Sequence, residues 1–485
     1  MMLGSMLGTS TDTDQGAYAY VVSTFEHCLT YLGSGSSNGL DWIVDALDTI
    51  NTFKARHAKL QSIPAVEATV KKVAQHVLQS LRNTPAESLS SQVLQLTSRL
   101  QRYARLFDAH EALDTLNVSQ TLIALASPLT RHLQRQVDPA VASAFVDALC
   151  TTLRSNDDVI ERILAVVWYL YSATTSDAIA GAFQAWLQGL TFEQYNHVLV
   201  SLAALCDQDQ RIATPDQEHV YLSLVSVVVS SYTEAHKGNA MRNSLFYLVP
   251  KLSLLAGRTR SVQSLLQILY ILVLVSKDKT LTILPIHVSL ILSCVLQVSH
   301  PTATDRLTLD ADQAHAVVEA ICHVLQSLLL NHRKEVVSGP LSTMIGVLQS
   351  LLHCFRTAHV VVEQAPPKAI PILFAHAPLQ CAAPVARVLE HLGQKKFAGA
   401  SETQHIVAKH APFLLMEYFA IQQNASLCIM DPALKAALLP GLYSLMDVCG
   451  PGDRDLVMTG LENAGKLLYK NFHTEWAENH KYKGQ

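Results

Sequence analysis

One pattern governs what this chain can fold into. From Leu40 onward, apolar residues recur at spacings of three and four for about 14 to 22 residues at a time, and a short polar or proline-containing break follows each run. Each run reads as one amphipathic helix, which must bury its apolar stripe against a neighbour. Gln313 to Asn331 shows the device: Val317, Ile321, Val324, Leu325 and Leu328 share a stripe, Val337-Ser338-Gly339-Pro340 breaks it, and Leu341 to Phe355 repeats it. Two such helices joined by a short break pack antiparallel and form one layer of a stack. Pro64, Pro85, Pro128 and Pro139 punctuate the first third, and Asn156, Thr191 and Pro215 the next. Asp138-Pro139, Thr214-Pro215 and Asp431-Pro432 each set a capping residue before proline at the first helical position.

Segments of this kind number roughly twenty. They keep no fixed period, which argues against tetratricopeptide and ankyrin arrays. Val227-Val228-Val229 and Val360-Val361-Val362 are too short, and lie too close to helical patterns, to read as strands. The expected fold is all-α, an irregular HEAT- or armadillo-like solenoid of stacked antiparallel helix pairs. Such a stack also accommodates 485 residues, more than a single hydrophobic core usually serves, because each layer buries itself only against its neighbours. Residues 1–16, small and polar, are expected to be disordered. Residues 17–309 read as the helical-repeat region, opening with a helix from Ala17 to Leu32 and a Gly33–Gly39 loop. Residues 310–485 read as a C-terminal helical domain continuous with the stack.

Several function classes find little support. Net charge is −4 and the pI near 6.6, so no strong global field would gather on a nucleic-acid backbone. The nine cysteines, Cys28, Cys150, Cys206, Cys294, Cys322, Cys354, Cys381, Cys428 and Cys449, show no CxxC spacing and sit mostly in apolar runs. That points to a reducing compartment and away from a disulfide framework or zinc site. The strongest membrane candidates, Leu265–Ser276 and Leu281–Val298, are too short or too interrupted to span and read as buried helices.

Catalytic and ligand patterns are sparse. His315, Glu319 and His323 could form a metal edge on one helix face but lack a third ligand at a known spacing. Asp41, Asp45 and Asp48 share a face as well, where a helix start favours negative charge. Cys354 lies beside His353, with His359 near, but neighbours on a helix point apart. Neither GxxxxGK[ST] nor GxGxxG occurs. The chain is expected to be no enzyme, with no cofactor and no small-molecule substrate. Basic residues form small clusters: Lys251 with Arg258 and Arg260, Lys395-Lys396, and Lys466, Lys470, Lys481 and Lys483 at the end. Solvated helix ends and local phosphate contact are both open readings.

The C-terminus carries a resemblance. Leu438-Leu439-Pro440-Gly441-Leu442-Tyr443-Ser444-Leu445-Met446-Asp447-Val448-Cys449 precedes Leu461-Glu462-Asn463-Ala464-Gly465-Lys466-Leu467-Leu468-Tyr469, and the chain closes on His480-Lys481-Tyr482-Lys483-Gly484. This resembles the C-terminal domain of the nucleolar 27S pre-rRNA processing family, unhealthy ribosome biogenesis protein two (Urb/Npa type), with its proline-glycine-aromatic helix start, leucine-aspartate helix and Lys-Tyr-Lys-Gly tail. Asn331-His332-Arg333, Ala383-Pro384-Val385-Ala386-Arg387-Val388-Leu389 and Leu415-Met416-Glu417-Tyr418 are similar to further segments of that family. Members are generally longer, so the chain is expected to correspond to a C-terminal portion or a short form.

The resemblance implies a non-catalytic assembly factor of early large-subunit (pre-60S) precursors in the nucleus and nucleolus. Its partners would be a larger helical-repeat protein of the same type and a DEAD-box helicase, with pre-rRNA contacted indirectly or locally. The helical pattern alone also suits an adaptor in nuclear transport or trafficking. Phe472, Trp476, Lys481, Tyr482 and Lys483 are the candidate partner-binding residues, an aromatic and cationic set suited to a protein groove or stacked RNA. The competing reading makes the same segment a final helix that caps the stack, with Trp476 buried.

Overall fold

The computed structural model describes residues 74–481, apart from several short stretches and the longer segments 100–117, 237–244, 300–308 and 356–378. The Ala17–Leu32 helix, the Gly33–Gly39 loop and Asp41, Asp45 and Asp48 lie outside the described residues. Among the described residues every regular element is helical, with α-helices predominating. The chain divides into two compact units, residues 1–198 with 231–236, and residues 199–230 with 237–485.

In the first unit, α1 (Val118–Arg135) lies against α3 (Asp157–Ala173), and α2 (Pro139–Thr152) against α4 (Asp177–Gln188). Asp138 caps α2, its carboxylate accepting from the Ala140 and Val141 N–H groups at 2.9 and 3.2 Å. Thr191 and Gln194 exchange side chain-to-backbone bonds at the start of α5 (Phe192–Asp207), a reciprocal capping box. One turn on, Tyr195 stacks on His236 with ring centroids 4.1 Å apart. Burial pushes the Tyr195 phenol up and the His236 imidazole down, favouring the neutral form of each.

The second unit continues with α6 (Pro215–Ser230), α7 (Leu245–Arg258), α8 (Val262–Lys277), α9 (Pro285–Ser299) and α10 (Ala311–Asn331). Then follow α11 (Arg333–Val337), α12 (Leu341–His353), a 3-10 turn at Leu379–Cys381, α13 (Ala382–Gly393), α14 (Ala400–Gln423) and α15 (Pro432–Val448). α16 (Pro451–Gly460), α17 (Asn463–Trp476) and a π turn at Ala477–Lys481 close the described chain. Helices α6, α8, α10, α13 and α15 pack each on the next and make one layer. Helices α7, α9, α12 and α14 make the other, with α16 and α17 lying on α14. This is the irregular α-solenoid of helix pairs that the periodicity predicts.

The apolar runs that most resembled membrane spans are α8 and α9, of 16 and 15 residues. They are hydrophobic nearly all round because layer neighbours flank them on two sides and the opposite layer covers a third. Among the described residues α10 is the one helix long and apolar enough to cross a bilayer, and 56% of that window is buried inside the stack. Thr214 and Gln217 form a capping box before α6, and Asp431 accepts from the Ala433 N–H at 2.8 Å before α15.

Two expectations about breaks need correction. Pro128 lies inside α1, and Pro440, read as part of a helix start, lies inside α15. An interior proline costs about 3 kcal/mol, but fully buried Leu122, Leu129 and Leu133 continue one face of α1 through Pro128. That packing outweighs the lost bond. The Val337–Pro340 break, in turn, follows directly on the single-turn helix α11, which touches both α10 and α12.

Candidate partner-binding region at the C-terminal end

The motif residues of the second unit prove to be joints between helices. At the corner after α10, the Asn331 side-chain amide donates to the Ser276 carbonyl at 3.2 Å, at the end of α8. His332 is buried and closes α10 through its N–H to Leu328 O at 2.8 Å. Arg333 then reaches α13, where Nη1 donates to His391 O at 2.6 Å and Nη2 to Leu392 O at 2.7 Å. The last carbonyls of a helix lack intrahelical partners and carry its negative end, so a guanidinium fork suits them. Burial lowers the pKa of Arg333, the desolvation cost that these two bonds offset. Three consecutive residues thus tie α8, α10 and α13 together.

The next joint joins α13 to α15. A Cβ on Gly441 would stand 2.6 Å from Ala386 O and 2.8 Å from Leu389 Cβ, and one on Gly393 would stand 2.6 Å from Ser444 O. Only glycine lets the two backbones approach this closely. The Ala383–Leu389 and Leu438–Cys449 segments therefore meet face to face.

At the end of the stack one carboxylate gathers the tail. Asp447 Oδ1 accepts from the Trp476 indole N–H at 2.9 Å, and its Oδ2 pairs with His480 Nε2 at 3.0 Å. The Arg454 guanidinium sits 4.6 Å from the Trp476 ring centroid and donates to Met446 O at 3.3 Å. Phe419 packs edge-on against Tyr469 and Phe472, and Tyr443 lies against Phe472 and His480. Burial first, then the charge of Glu475, pushes both Tyr443 and Tyr418 up to about 12.

Phe472 and Trp476 are 6% and 2% exposed, so both side chains face the stack and occupy the capping position. An indole whose N–H finds a carboxylate is more stable buried than presented to solvent. Lys481 ends the π turn, and Tyr482 and Lys483 lie outside the described residues. Sequence reasoning missed Asp447 and Arg454 as the residues that hold Trp476. The available signal was a Trp with a His four residues on, but their shared acceptor lies 29 and 33 residues away.

The candidate chemical sites resolve into packing contacts. His315 Nδ1 lies 3.6 Å from Cys381 Sγ, and its Nε2 lies 3.8 Å from Glu319. Burial foremost, with Glu319 adding, pushes the Cys381 thiol up to about 12, the reverse of what a nucleophile or metal ligand requires. Among the described residues no three His, Cys, Asp or Glu side chains are grouped to hold a metal. His353 pairs with Glu417 across to α14, while Cys354 Sγ donates to Ser350 O at 3.2 Å. Lys395, Lys396 and His359 lie outside the described residues.

The model of the Urb2/Npa2 family matches residues 263–485. That region belongs to the Urb2/Npa2 family. The match opens within α8, so the Urb2/Npa2 region holds every joint described above. The family comprises ribosome biogenesis factors and is not a known enzyme family, which ties the chain to ribosome biogenesis and to the nucleus. No curated protein matches the chain. Among solved structures, the chain is similar to one of microtubule polymerases with Tumor Overexpressed Gene (TOG) domain arrays, at 11% identity and a TM-score of 0.33, covering 96% of this chain and 98% of that one. It is similar to a SYS-1/POP-1 complex chain at 12% identity and a TM-score of 0.25, covering 95% and 100% respectively. The pentatricopeptide repeat protein PPR10 from maize follows at 11% identity and a TM-score of 0.11, over 97% and 98%. With TM-scores under 0.5, these likenesses carry no argument about role.

Proposed function

We propose that this chain is a non-catalytic scaffold in nucleolar assembly of the large (60S) ribosomal subunit. It acts through protein–protein contacts in early precursor particles. The observation that carries the reading is the Urb2/Npa2 region over residues 263–485. Within it the motif residues are spent on joints between helices. Such joints hold a long face in one shape, and a preformed face binds partners without a large ordering cost. The proposed partners are a larger helical-repeat protein of the same type and a DEAD-box helicase. Pre-rRNA contact is indirect or local, since the net charge of −4 supplies no broad attraction. With Phe472 and Trp476 buried, we assign any tail contact to Lys481, Tyr482 and Lys483.

The test is recovery of the tagged chain from nuclear extract at moderate salt. Large-subunit precursor rRNA should come with it, together with assembly factors, and RNase treatment should leave the protein contacts in place. A clean set of transport or trafficking proteins, without precursor rRNA, would overturn the reading.

A further inference from the structure

The outer face of α7 and α9 in the second unit takes no part in these joints. Along α7, Tyr247, Lys251, Leu254 and Arg258 follow one another at spacings of three and four and so share a stripe. Tyr247 and Leu254 are each 61% exposed, and Ile286 at the start of α9 is 59% exposed. The two helices run parallel: Ser253 donates to Gln297 at 2.8 Å, and Gly257 lies against the same Gln297 amide, which sets their C-terminal halves level. That register brings Ile286 to the Tyr247 end. Leu254 stands two turns along, about 10 Å by helix rise.

The charge on this face has one sign. Helices α7, α9 and α12 contain no Asp or Glu, while α7 contributes Lys251 and Arg258, with Arg260 just beyond it. The facing layer, by contrast, carries Asp216, Glu218, Asp312, Glu319, Glu390 and Asp447 on its helices. Single exposed hydrophobic residues are ordinary. Three large ones on adjacent helices with cations between them mark an interaction surface.

We propose that the α7–α9 face docks an acidic amphipathic helix of a partner protein. The partner's apolar residues, at i, i+3 or i+4, and i+7, lie over Tyr247, Leu254 and Ile286. Its Asp and Glu residues flank that stripe toward Lys251 and Arg258. RNA fits poorly, because Leu254 and Ile286 give a base neither a stacking plane nor a hydrogen bond. A second copy joined through the same face would set cations against cations. The inference rests on the scaffold reading for the partner being a protein, and adds the surface and the partner's chemistry.

The experiment is photo-crosslinking of the full-length tagged chain carrying Leu254→p-benzoylphenylalanine in nuclear extract, with the crosslinked peptide sequenced. The expected product is a segment of another protein with an apolar helical stripe and acidic flanks. Ile286→Asp, and separately Lys251→Glu with Arg258→Glu, should each cut its yield about tenfold while circular dichroism and melting stay unchanged. Adducts to RNA, to a second copy or to a basic segment overturn the proposal, as does a yield that neither variant lowers. Precursor rRNA is scored in the same extract. If it is recovered while no acidic helix is crosslinked, the surface is wrong and the scaffold reading stands. If it is missing, the assembly reading falls, and the crosslinked peptide still decides the surface.

Discussion

The two layers of the second unit are joined by different chemistry. In the α6–α8–α10–α13–α15 layer, cross-helix bonds mostly end on backbone: Asn331 on Ser276 O, Arg333 with α11 on His391 O and Leu392 O, and Ser444 on Glu390 O. Gln267 to Ser223 is the side chain-to-side chain exception. Gly393 and Gly441 bring main chain against main chain. In the α7–α9–α12–α14 layer the bonds run between side chains, Ser253 to Gln297 and His353 to Glu417. A bond to a carbonyl fixes where the helix itself lies, whereas a bond between side chains can be remade in another rotamer. The first layer therefore sets helix spacing. The second keeps a face that can be exposed, and Tyr247, Leu254, Ile286 and Phe413 are the large apolar residues open on it.

The sharpest way to break this comparison is to crowd the backbone joint. Gly441→Ala should destabilise the protein by about 3 kcal/mol, since the added Cβ meets backbone that cannot swing aside. Urea unfolding followed by circular dichroism measures it, and a loss under about 1 kcal/mol would show that α13 and α15 slide apart freely. Arg333→Met comes next, at about 2 kcal/mol, because it keeps the stem and removes both charged bonds to the end of α13. Arg333→Lys should recover only part of that, a single ammonium being unable to fork across two carbonyls.

A pH titration sharpens the picture at the capped end. Tyr418, Tyr443 and Tyr469 are pushed from an ordinary value of 10.0 up to about 12, burial being the first cause in each. A folded pKa above the unfolded one means that the folded state holds the proton more tightly. The stabilisation is complete below pH 10 and is lost as pH rises toward 12. Tyrosinate absorbance should lag behind free tyrosine through that window, and the melting temperature should fall across it. Ordinary titration near pH 10 in the folded chain would show that the tyrosine cluster is open to water.

The sequence makes legible what is decided within a turn or two. Asp431-Pro432 states a helix start because the cap closes on Ala433, two residues away, and the Gln313–Asn331 stripe states its buried face through its own spacing. The joints are different. Arg333 reaches carbonyls 58 and 59 residues on, and Asp447 serves a tryptophan 29 residues on. Nothing local distinguishes such a residue from one on a solvated helix end. For the same reason Trp476 allows two readings in sequence, docking anchor or buried cap, until the position of Asp447 decides between them. Pro440 misleads because proline usually opens a helix, whereas here the adjoining Gly441 is held against α13 strongly enough to carry the helix through.

The smallest effect is also the cleanest contrast, because it reverses sign. Gly346 in α12 belongs to the other layer, and a Cβ there would meet only Leu296 Cδ1 at 3.9 Å, an ordinary contact. Interior helical glycine costs roughly 0.5–1 kcal/mol relative to alanine through the freedom it has in the unfolded chain. Gly346→Ala should therefore stabilise the protein by up to about 1 kcal/mol, while the same substitution at Gly441 destabilises it several-fold more. Both changes add one methyl group to a helix interior, so propensity and chain entropy cancel between them. What is left is the backbone approach that only the α13–α15 joint makes. If Gly346→Ala instead destabilised the protein comparably, the second layer would be as tightly keyed as the first. The freedom assigned to its outer face would then have no structural basis.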